Sequence, residues 1–541
     1  MFESHGFLKN VREAYKEPPE GLEEMKKVLK SHMKRLGILT SKTSHNIDGF
    51  DGGVVETGQQ PNCLGGPSFI INKITYTWAL SGLGGGFTPL FYVGDYDSIQ
   101  PELINIRVPS PSSRGMLITY PSPPEYEGAP IRRLPNPNEE WLQKTLEKIE
   151  SNYRGLLKGV EPLKQEATLQ NLNQIFTILK NAFFSTENVA DFSTKIIGTI
   201  VNLEADLGIP VLTATDPEIR GLFQLGYESI LSEPNRSNFI RASNAAVNLI
   251  EELGYRPQIG RRMDDYVPFF LECQTPSCHG SRVDLKYKQK GPDFFIEGKC
   301  SRCEQIYSYS IDKVKPDLTG IAEIITPRVD SRQIIVDSVI PVVAHVGGPG
   351  ETSYYAEVIP GVAPLNMPFP TYTRYTRVFY NTPWNNIAAR NLAEKGYSTL
   401  LREKLFTALS GWVEAKKTSN SDKMVQAHRE IREVVDETYQ TLLRKRNDFE
   451  IEVEEIKRKL NNPANRVMLI QEMKAKQMQV IELDGYLSFA FGQYAPEKYG
   501  QEVSWAWIDL ASVSGVKDSV GVYKRLYNGN TPNSSVFFVN L

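Results

Sequence analysis

Apolar positions along residues 21–39 fall on one stripe of a helix that ends near Gly37. From Gly53 to Ile106 the pattern shortens to strand-sized runs between glycine-rich turns. Val54-Val55 and Leu90-Phe91-Tyr92-Val93 read as strands, and Phe69-Ile70-Ile71 as a strand or as the start of a helix running on to Leu80. Strands alternating with a helical crossover predict an α/β sheet with parallel strands. The proline-rich stretch from Pro109-Ser110-Pro111 to Pro135-Asn136-Pro137 excludes continuous helix and central strand, so it reads as a connector in which Met116–Tyr120 makes a strand. From Asn138 the period changes: Trp141, Leu142, Leu146, Ile149, Tyr153 and Leu156 recur at three- and four-residue steps, a helix capped by Asn138. Helices continue to Leu207. Ile209-Pro210-Val211-Leu212, with Asp216 after it, returns to the sheet, and helices resume over 217–254. Residues 267–315 are β-rich, and Ile334 to Val346 is strand-like and leads into a second glycine cluster.

The last large segment is helical. Val435, Leu442, Phe449 and Ile456 are spaced by seven, and Tyr439, Arg446, Val453 and Leu460 follow each of them by four. That alternation is a coiled-coil seam, with Arg446 as its one charged member. Asn461-Asn462-Pro463 breaks the helix, and Arg466 to Ile481 returns antiparallel along it. Such an arm is a scaffold and offers a surface for a homodimer.

Length and charge narrow the class. At roughly 150 residues per domain, 541 residues suggest three or four domains. Lys+Arg 61 against Asp+Glu 64 leaves a net charge of -3, so a nucleic-acid wrapper is not expected. Met1-Phe2-Glu3-Ser4-His5 lacks a signal-peptide pattern, and no run reaches the roughly 18 apolar residues of a membrane span, so a cytoplasmic protein without membrane partners is expected. Five cysteines are too few for a disulfide scaffold.

Four of the five carry the strongest chemical signal. Cys273-Gln-Thr-Pro-Ser-Cys278 and Cys300-Ser-Arg-Cys303, 21 residues apart, are two thiolate pairs on turns, the donor set of a tetrahedral zinc site in a zinc ribbon. His279 is an alternative ligand to Cys278. Four thiolates leave no open coordination position, so the zinc is expected to be structural.

Two glycine clusters follow predicted strands. Thr57-Gly58-Gln59-Gln60-Pro61-Asn62-Cys63-Leu64-Gly65-Gly66-Pro67 precedes a helix carrying Asn72-Lys73, and Gly347-Gly348-Pro349-Gly350-Glu351 follows the strand ending at Val346. Glycines let backbone amides approach a ligand, and a helix N-terminus favours an anion. The two turns could meet over one sheet edge, where α/β proteins bind ligands. Asp95-Tyr96-Asp97 closes a third strand and could bind an amine, a ribose or a metal-nucleotide complex, or cap the next element.

Thr57-Gly58-Gln59-Gln60, Gly66-Pro67 and Asn72-Lys73, with Arg332, Asp337, Pro341, Val346 to Glu351 and Tyr355, resemble the bacillithiol-biosynthesis BshC family of cysteine ligases. The likeness extends to Met367-Pro368-Phe369-Pro370 and faintly to Lys498-Tyr499-Gly500; it is specific over roughly 50–105 and 325–385. It implies a Rossmann-like core of the class I synthetase or nucleotidylyltransferase kind, with an inserted connective domain and a long coiled-coil arm. The four-cysteine ribbon is not a feature expected of the family, and adding it gives an α/β fold with an inserted helical and zinc-ribbon region and an antiparallel coiled-coil arm. The expected divisions are 1–137 and 317–421 for the core, 138–265 for the helical connection, 266–316 for the ribbon, 422–482 for the arm and 483–541 for a C-terminal segment packed on the core. The family is thought to join cysteine, through an activated carboxyl, to the amino group of a glucosaminyl-malate conjugate, which implies ATP or another nucleotide and small-molecule substrates. Carried over by position, Gly58, Gln59, Gln60, Gly66, Pro67, Arg332, Gly347, Gly348, Gly350, Glu351 and Tyr355 would bind substrate or nucleotide. Lys73, Asn72, Asp95 and Asp97 would be catalytic.

The family has His-Lys where this chain has Asn72-Lys73, and Asp-His-Asp where it has Asp95-Tyr96-Asp97. Asn can hydrogen-bond a phosphate oxygen but cannot be a cation or general acid as imidazole can. The chemistry is rerouted, the substrate is another amino acid, or the chain is an altered homologue that binds or assembles without ligating. Cys63 and His345, beside the glycine clusters, are read as a buried small hydrophobe and a satisfied polar residue ahead of a second metal pair. His5, His32, His45 and His428 are expected at the surface. Tyr372 and Arg374 lie on a strand with one solvated face or face the site.

Overall fold

The computed structural model describes residues 5–83, 86–111, 115–395, 421–460, 466–494, 501–527 and 536–541. After α1 (Leu22–Arg35) come β1 (Val54–Gln59), α2 (Phe69–Leu83) and β2 (Thr88–Val93). β1 and β2 pair in parallel, Val54 beside Thr88 and Glu56 beside Leu90. Parallel neighbours need a crossover, and α2 supplies it, so the Phe69 segment is helix. A hairpin of β3 (Asn105–Val108) and β4 (Met116–Thr119) sits inside the proline-rich stretch.

The helices α3 (Glu139–Leu156), α4 (Pro162–Phe184) and α5 (Val189–Gly198) follow. The Asn138 side chain accepts the Trp141 amide and so caps α3. β5 (Val211–Thr213) then pairs in parallel with β2. After α6 (Asn235–Glu252) comes an antiparallel sheet of β6 (Tyr266–Glu272), β7 (Arg282–Lys290), β8 (Asp293–Lys299), β9 (Ile306–Ile311) and β10 (Ile325–Pro327), ordered β10-β6-β7-β8-β9.

The strand-like reading of 334–346 needs correction. α7 (Arg332–Asp337) takes its first part and β11 (Val342–Gly347) the second. Ile334, Ile335 and Val336 are all buried, and a short buried apolar run has no periodicity that separates helix from strand. α8 (Pro349–Val362) leads on to β12 (Thr371–Arg374). The central sheet is fully parallel in the order β12-β11-β1-β2-β5. From β1 the chain runs outward to β2 and β5, and from β11 it runs the other way to β12. Between β1 and β11 this reversal opens a crevice at the carboxyl ends of the strands.

β13 (Arg377–Asn381) pairs with β14 (Val536–Asn540). α9 (Ser421–Lys459) and α10 (Arg466–Tyr494) lie antiparallel, with Arg446 3.1 Å from Asp484 and Lys476 2.5 Å from Glu452. Tyr439, Leu442, Val453 and Ile456 of the seven-residue pattern are buried. The side chains of His428 and Val435, and the residues Asn461-Asn462-Pro463 and Lys498-Tyr499-Gly500, lie outside the described residues. α11 (Trp507–Ser514) packs on α4, and α12 (Val516–Tyr527) packs on α2. Among the described residues no helix is long and apolar enough to cross a membrane.

Candidate functional site

A cavity of about 890 Å³ lies at the crevice. The two glycine clusters meet there, because β1 and β11 pair in parallel with Thr57 beside Val346. Gly58, Gln59 and Gln60 line it from β1 and its turn, and Gly348, Gly350 and Glu351 from the start of α8. Asp97 and Arg332 complete that side. The opposite wall comes from the antiparallel sheet, through Arg282 and Arg328, and from the loop at 258–263. That loop is pinned by the buried Glu357 carboxylate, which accepts the amides of Gln258, Ile259 and Gly260 at 2.7, 2.9 and 3.0 Å.

Beneath the cavity floor runs a chain of buried charges. Lys73 Nζ donates to the Gly58 carbonyl at 2.7 Å and to Glu351 at 2.5 Å. His345 lies 3.3 Å from Glu351 through Nε2 and 3.4 Å from Glu56 through Nδ1. Arg332 closes the chain with a 2.5 Å bond to Glu56, and its other nitrogen reaches Tyr355 Oη at 3.1 Å. Burial alone would raise Glu56, but Arg332, His345 and Gln333 hold its carboxyl down at about 2. Burial opposes Glu351 in the same way, and Lys73 with His345 holds it well below the usual carboxylate range. Both are therefore ionised at neutral pH. Lys73 itself is 1 % exposed and acts on the cavity through Glu351 and the Gly58 carbonyl.

At the mouth, Gln60 Nε2 donates to Asp97 at 3.0 Å, and Arg282 donates to the other Asp97 oxygen at 2.6 Å and to the Tyr96 carbonyl at 2.9 Å. Arg282 starts β7, four residues after Cys278, so the cysteine-bearing sheet holds an acidic residue of the turn that follows β2. Asp95 faces away, into a separate polar cavity with Arg132, Thr215 and Asp216. Its carboxyl bonds Thr215, and burial pushes it up to about 6 against Arg132 and Thr215.

Asn72, one residue before Lys73, points to the other side of α2. Its amide donates to the Thr376 carbonyl at 2.8 Å and to Glu502 at 3.0 Å, and its oxygen accepts from Tyr527 at 2.5 Å. It does not line the cavity. Gly66 and Pro67 lie against the C-terminal segment: the Trp507 amide donates to the Gly66 carbonyl at 3.1 Å, and Pro67 bridges Ala506. Gly66 has φ +85, and a Cβ there would meet Ile70 at 2.6 Å, so glycine is required by the turn. Gly347 and Tyr355 are buried behind the lining; a Cβ on Gly347 would overlap Tyr372 at 2.4 Å.

Cys63 is buried beside Tyr120, with its thiol pushed well up by burial, while His345 is held between Glu56 and Glu351; the two do not form a site together. His45 is exposed as expected. His32 is a correction: it is 2 % exposed, 3.0 Å from Asp216 and 2.9 Å from Thr213, because α1 packs that face on β5. The sequence reading missed Glu56, Arg282 and Arg328. Glu56 had a signal, a lone charge inside an otherwise apolar buried strand; the two arginines had none, since only the packing of one sheet on the other brings them to the cavity.

The sulfurs of Cys273, Cys278, Cys300 and Cys303 all lie within 4.8 Å of one another, with Cys273–Cys303 at 3.5 Å and Cys278–Cys300 at 3.8 Å. A tetrahedral ion with metal–sulfur bonds of about 2.3 Å spaces its sulfurs by roughly 3.8 Å. The cluster is close enough to hold a metal ion, and all four cysteines are free thiols.

The family described as Bacillithiol biosynthesis BshC, N-terminal Rossmann-like domain, matches residues 125–374. A protein of Desulforamulus reducens named "Putative cysteine ligase BshC" is 26% identical over 349 residues, which is 63% of this chain and 57% of its own. A protein of the same name from Bacillus cereus (strain Q1) is 22% identical over 327 residues, 60% of this chain and 54% of its own. The chain thus spans a little over half the length of the curated relatives it matches. A solved structure titled as a putative arginyl tRNA synthetase from Campylobacter jejuni aligns at 12% identity over 92% of this chain and 100% of its own, with a TM-score of 0.21. Residues 125–374 thus match the Rossmann-like domain of the BshC family, and the chain is similar, at 22–26% identity, to curated proteins named as putative cysteine ligases of that family.

Proposed function

We propose that this protein is a carbon–nitrogen ligase that joins the activated carboxyl of cysteine to the amino group of glucosaminyl-malate. The observation that carries this reading is the crevice between β1 and β11, where Gln59, Gln60 and Glu351 surround a cavity large enough for a nucleotide and an acceptor. ATP or another nucleotide activates the carboxyl. The acceptor amine then attacks the acyl carbon, the new C–N bond forms as the bond to the nucleotide phosphate breaks, and the amine proton leaves to a base. Glu351 and Asp97, two of the carboxylates that line the cavity, hold the amine. Lys73 fixes Glu351, and Gln60 with Arg282 fixes Asp97. The test is incubation of pure protein with glucosaminyl-malate, cysteine and ATP, followed by mass spectrometry for bacillithiol. Folded protein that yields no product rejects this substrate assignment.

The four cysteines take one structural zinc, making the antiparallel sheet a zinc ribbon. Metal analysis is expected to return about one equivalent per chain, with Cys300→Ser losing it together with local folding. Chelator-free protein that holds no metal rejects the ribbon. The helical pair α9 and α10 serves as a coiled-coil arm for a homodimer, and the protein acts in the cytoplasm.

One observation favours a second reading, a homologue that binds or assembles without ligating. Asn72, where the family has His, is committed to Glu502 and Tyr527 and takes no place at the cavity. That reading predicts that Lys73→Ala leaves ligand binding unchanged, and a tenfold loss of nucleotide affinity, about 1.4 kcal/mol, excludes it.

A further inference from the structure

The cavity's cations can be accounted for one by one. Arg282 is paired with Asp97, Arg332 with Glu56, and Arg328 with Asp284. Arg262 is held by Asp330 and Glu357, Lys286 by Asp265, and Arg261 by Glu251. Arg377 also lines the cavity, yet among the described residues no carboxylate lies within 4.0 Å of it, and its buried Nη1 has no hydrogen-bond partner. Arg377 acts through space on Glu502, which is already bonded to the Val378 amide, Tyr523 and Asn72 and which burial pushes to about 7, so this acid compensates Arg377 only in part. Three residues away, Arg374 likewise has no carboxylate within that distance, and burial together with the nearby Arg377 lowers its pKa.

The surroundings are shaped for a ligand group. Tyr375 stacks on Phe69 with centroids 6.3 Å apart, and Arg377 stands 5.8 Å from the Tyr375 ring. A Cβ on Gly348 would come within 3.3 Å of that same ring, so Arg377 and the start of α8 flank one aromatic surface. A partly buried guanidinium left without an anion is costly, whereas one that meets an oxyanion gains paired, charge-assisted hydrogen bonds.

We infer that Arg377 is the anchor of an oxyanion subsite in this cavity, taking either a phosphate of the nucleotide or a carboxylate of the acceptor over the Tyr375–Phe69 surface. The inference rests on the proposed ligase reading for the identity of its ligands, though not for the subsite itself.

The test measures equilibrium binding of ATP, adenosine, glucosaminyl-malate, glucosamine and inorganic pyrophosphate to the full chain, its Arg377→Gln variant and its Arg377→Lys variant. Thermal melts check folding, and Arg377→Lys, which keeps the charge, is expected to recover part of the loss. Arg377→Gln is expected to weaken one anionic ligand by about tenfold to a hundredfold, the worth of a charged hydrogen bond, and to cause no such loss for the counterpart that lacks the anionic group. A loss confined to ATP and pyrophosphate assigns the phosphate, and one confined to glucosaminyl-malate assigns the carboxylate. Equal loss for adenosine and glucosamine, or no loss for any ligand, overturns the subsite. If the wild-type protein binds pyrophosphate through Arg377 but neither ATP nor glucosaminyl-malate, the subsite stands and the ligase reading falls. If it binds none of the anions, both fall.

Discussion

Lys73 and Asn72 are neighbours on α2, both buried, and they serve two polar clusters of opposite character. On the Lys73 side Asp337, which meets the Gln333 amide, is raised by burial, whereas the carboxylates with a cation are Glu351 with Lys73 and Glu56 with Arg332. Glu351 and Glu56 are both held below the ordinary range. On the Asn72 side Glu502 is met by an amide, a backbone N–H and a tyrosine. Nearby Asp509 has no hydrogen-bond partner among the described residues on either oxygen. Burial pushes both of these to about 7. Burial acts alike on the two clusters, so the partner decides which carboxylates stay charged. The compensated cluster keeps fixed charges under a cavity, and the other joins the C-terminal segment to the sheet.

The comparison is broken most directly by removing one cation. Arg332→Met leaves Glu56 a buried charge without its guanidinium, with only His345 and Gln333 beside it, and is expected to cost about 3 kcal/mol in urea unfolding at pH 7. A cost under about 1 kcal/mol would mean that Glu56 is not held by its partner.

Asp509→Asn is the converse. It replaces a carboxyl that burial already disfavours as an anion, so near pH 5 it is expected to change stability by about 1 kcal/mol or less. At pH 8.5, well above its folded pKa, the variant should be more stable than wild type by on the order of 2 kcal/mol.

Across the pH range the two clusters act in opposite senses. Glu502 and Asp509, raised from 4.5 and 3.8 to about 7, bind protons more tightly when folded. Their contribution is complete below the unfolded values and is lost as pH rises through 7. Glu56, lowered from 4.5 to about 2, contributes fully above 4.5 and loses that contribution as pH falls toward 2. Melting temperature should therefore fall on both the alkaline and the acid side, and Asp509→Asn should flatten the alkaline limb alone. If the variant flattens both limbs, the assignment of charges to clusters is wrong.

The smallest effect is expected at the mouth. Arg282 and Asp97 are 21% and 27% exposed, so Arg282→Ala should cost only about 1 kcal/mol by urea unfolding. A much larger loss would make this pair part of the buried network rather than a tie between the two sheets.

Much of the fold could be read along the chain. The helix capped by Asn138, the glycine turns and the cysteine pairs depend on neighbours a few residues away, and each is found in place. One local reading failed, that of Ile334–Val336 as strand, and one, that of Phe69–Ile71, stayed open between strand and helix, for the same reason. Both are short apolar runs, buried except for Phe69, and such runs have no polar face to give a period. Of the site, Gly58, Gln59, Gln60, Asp97, Arg332, Gly348, Gly350 and Glu351 line the cavity, while Asn72, Lys73, Asp95, Gly66, Pro67, Gly347 and Tyr355 lie behind or beside it. Adjacent helix positions face about 100° apart, so one motif can serve two clusters, and spacing alone does not say which residue turns inward.

What the sequence by itself determined is the set of local choices: parallel strands with a crossover, turns that need glycine, thiols in pairs, and an apolar pattern spaced by seven. Only the tertiary structure decided which charges meet. Glu56 and Arg332 are 276 residues apart, Lys73 and Glu351 are 278, and Arg282 and Asp97 are 185. Those pairs depend on the order of strands in the parallel sheet and on how the cysteine-bearing sheet packs against it. The pairing, in turn, leaves Arg377 as a cavity cation with no carboxylate within 4.0 Å among the described residues.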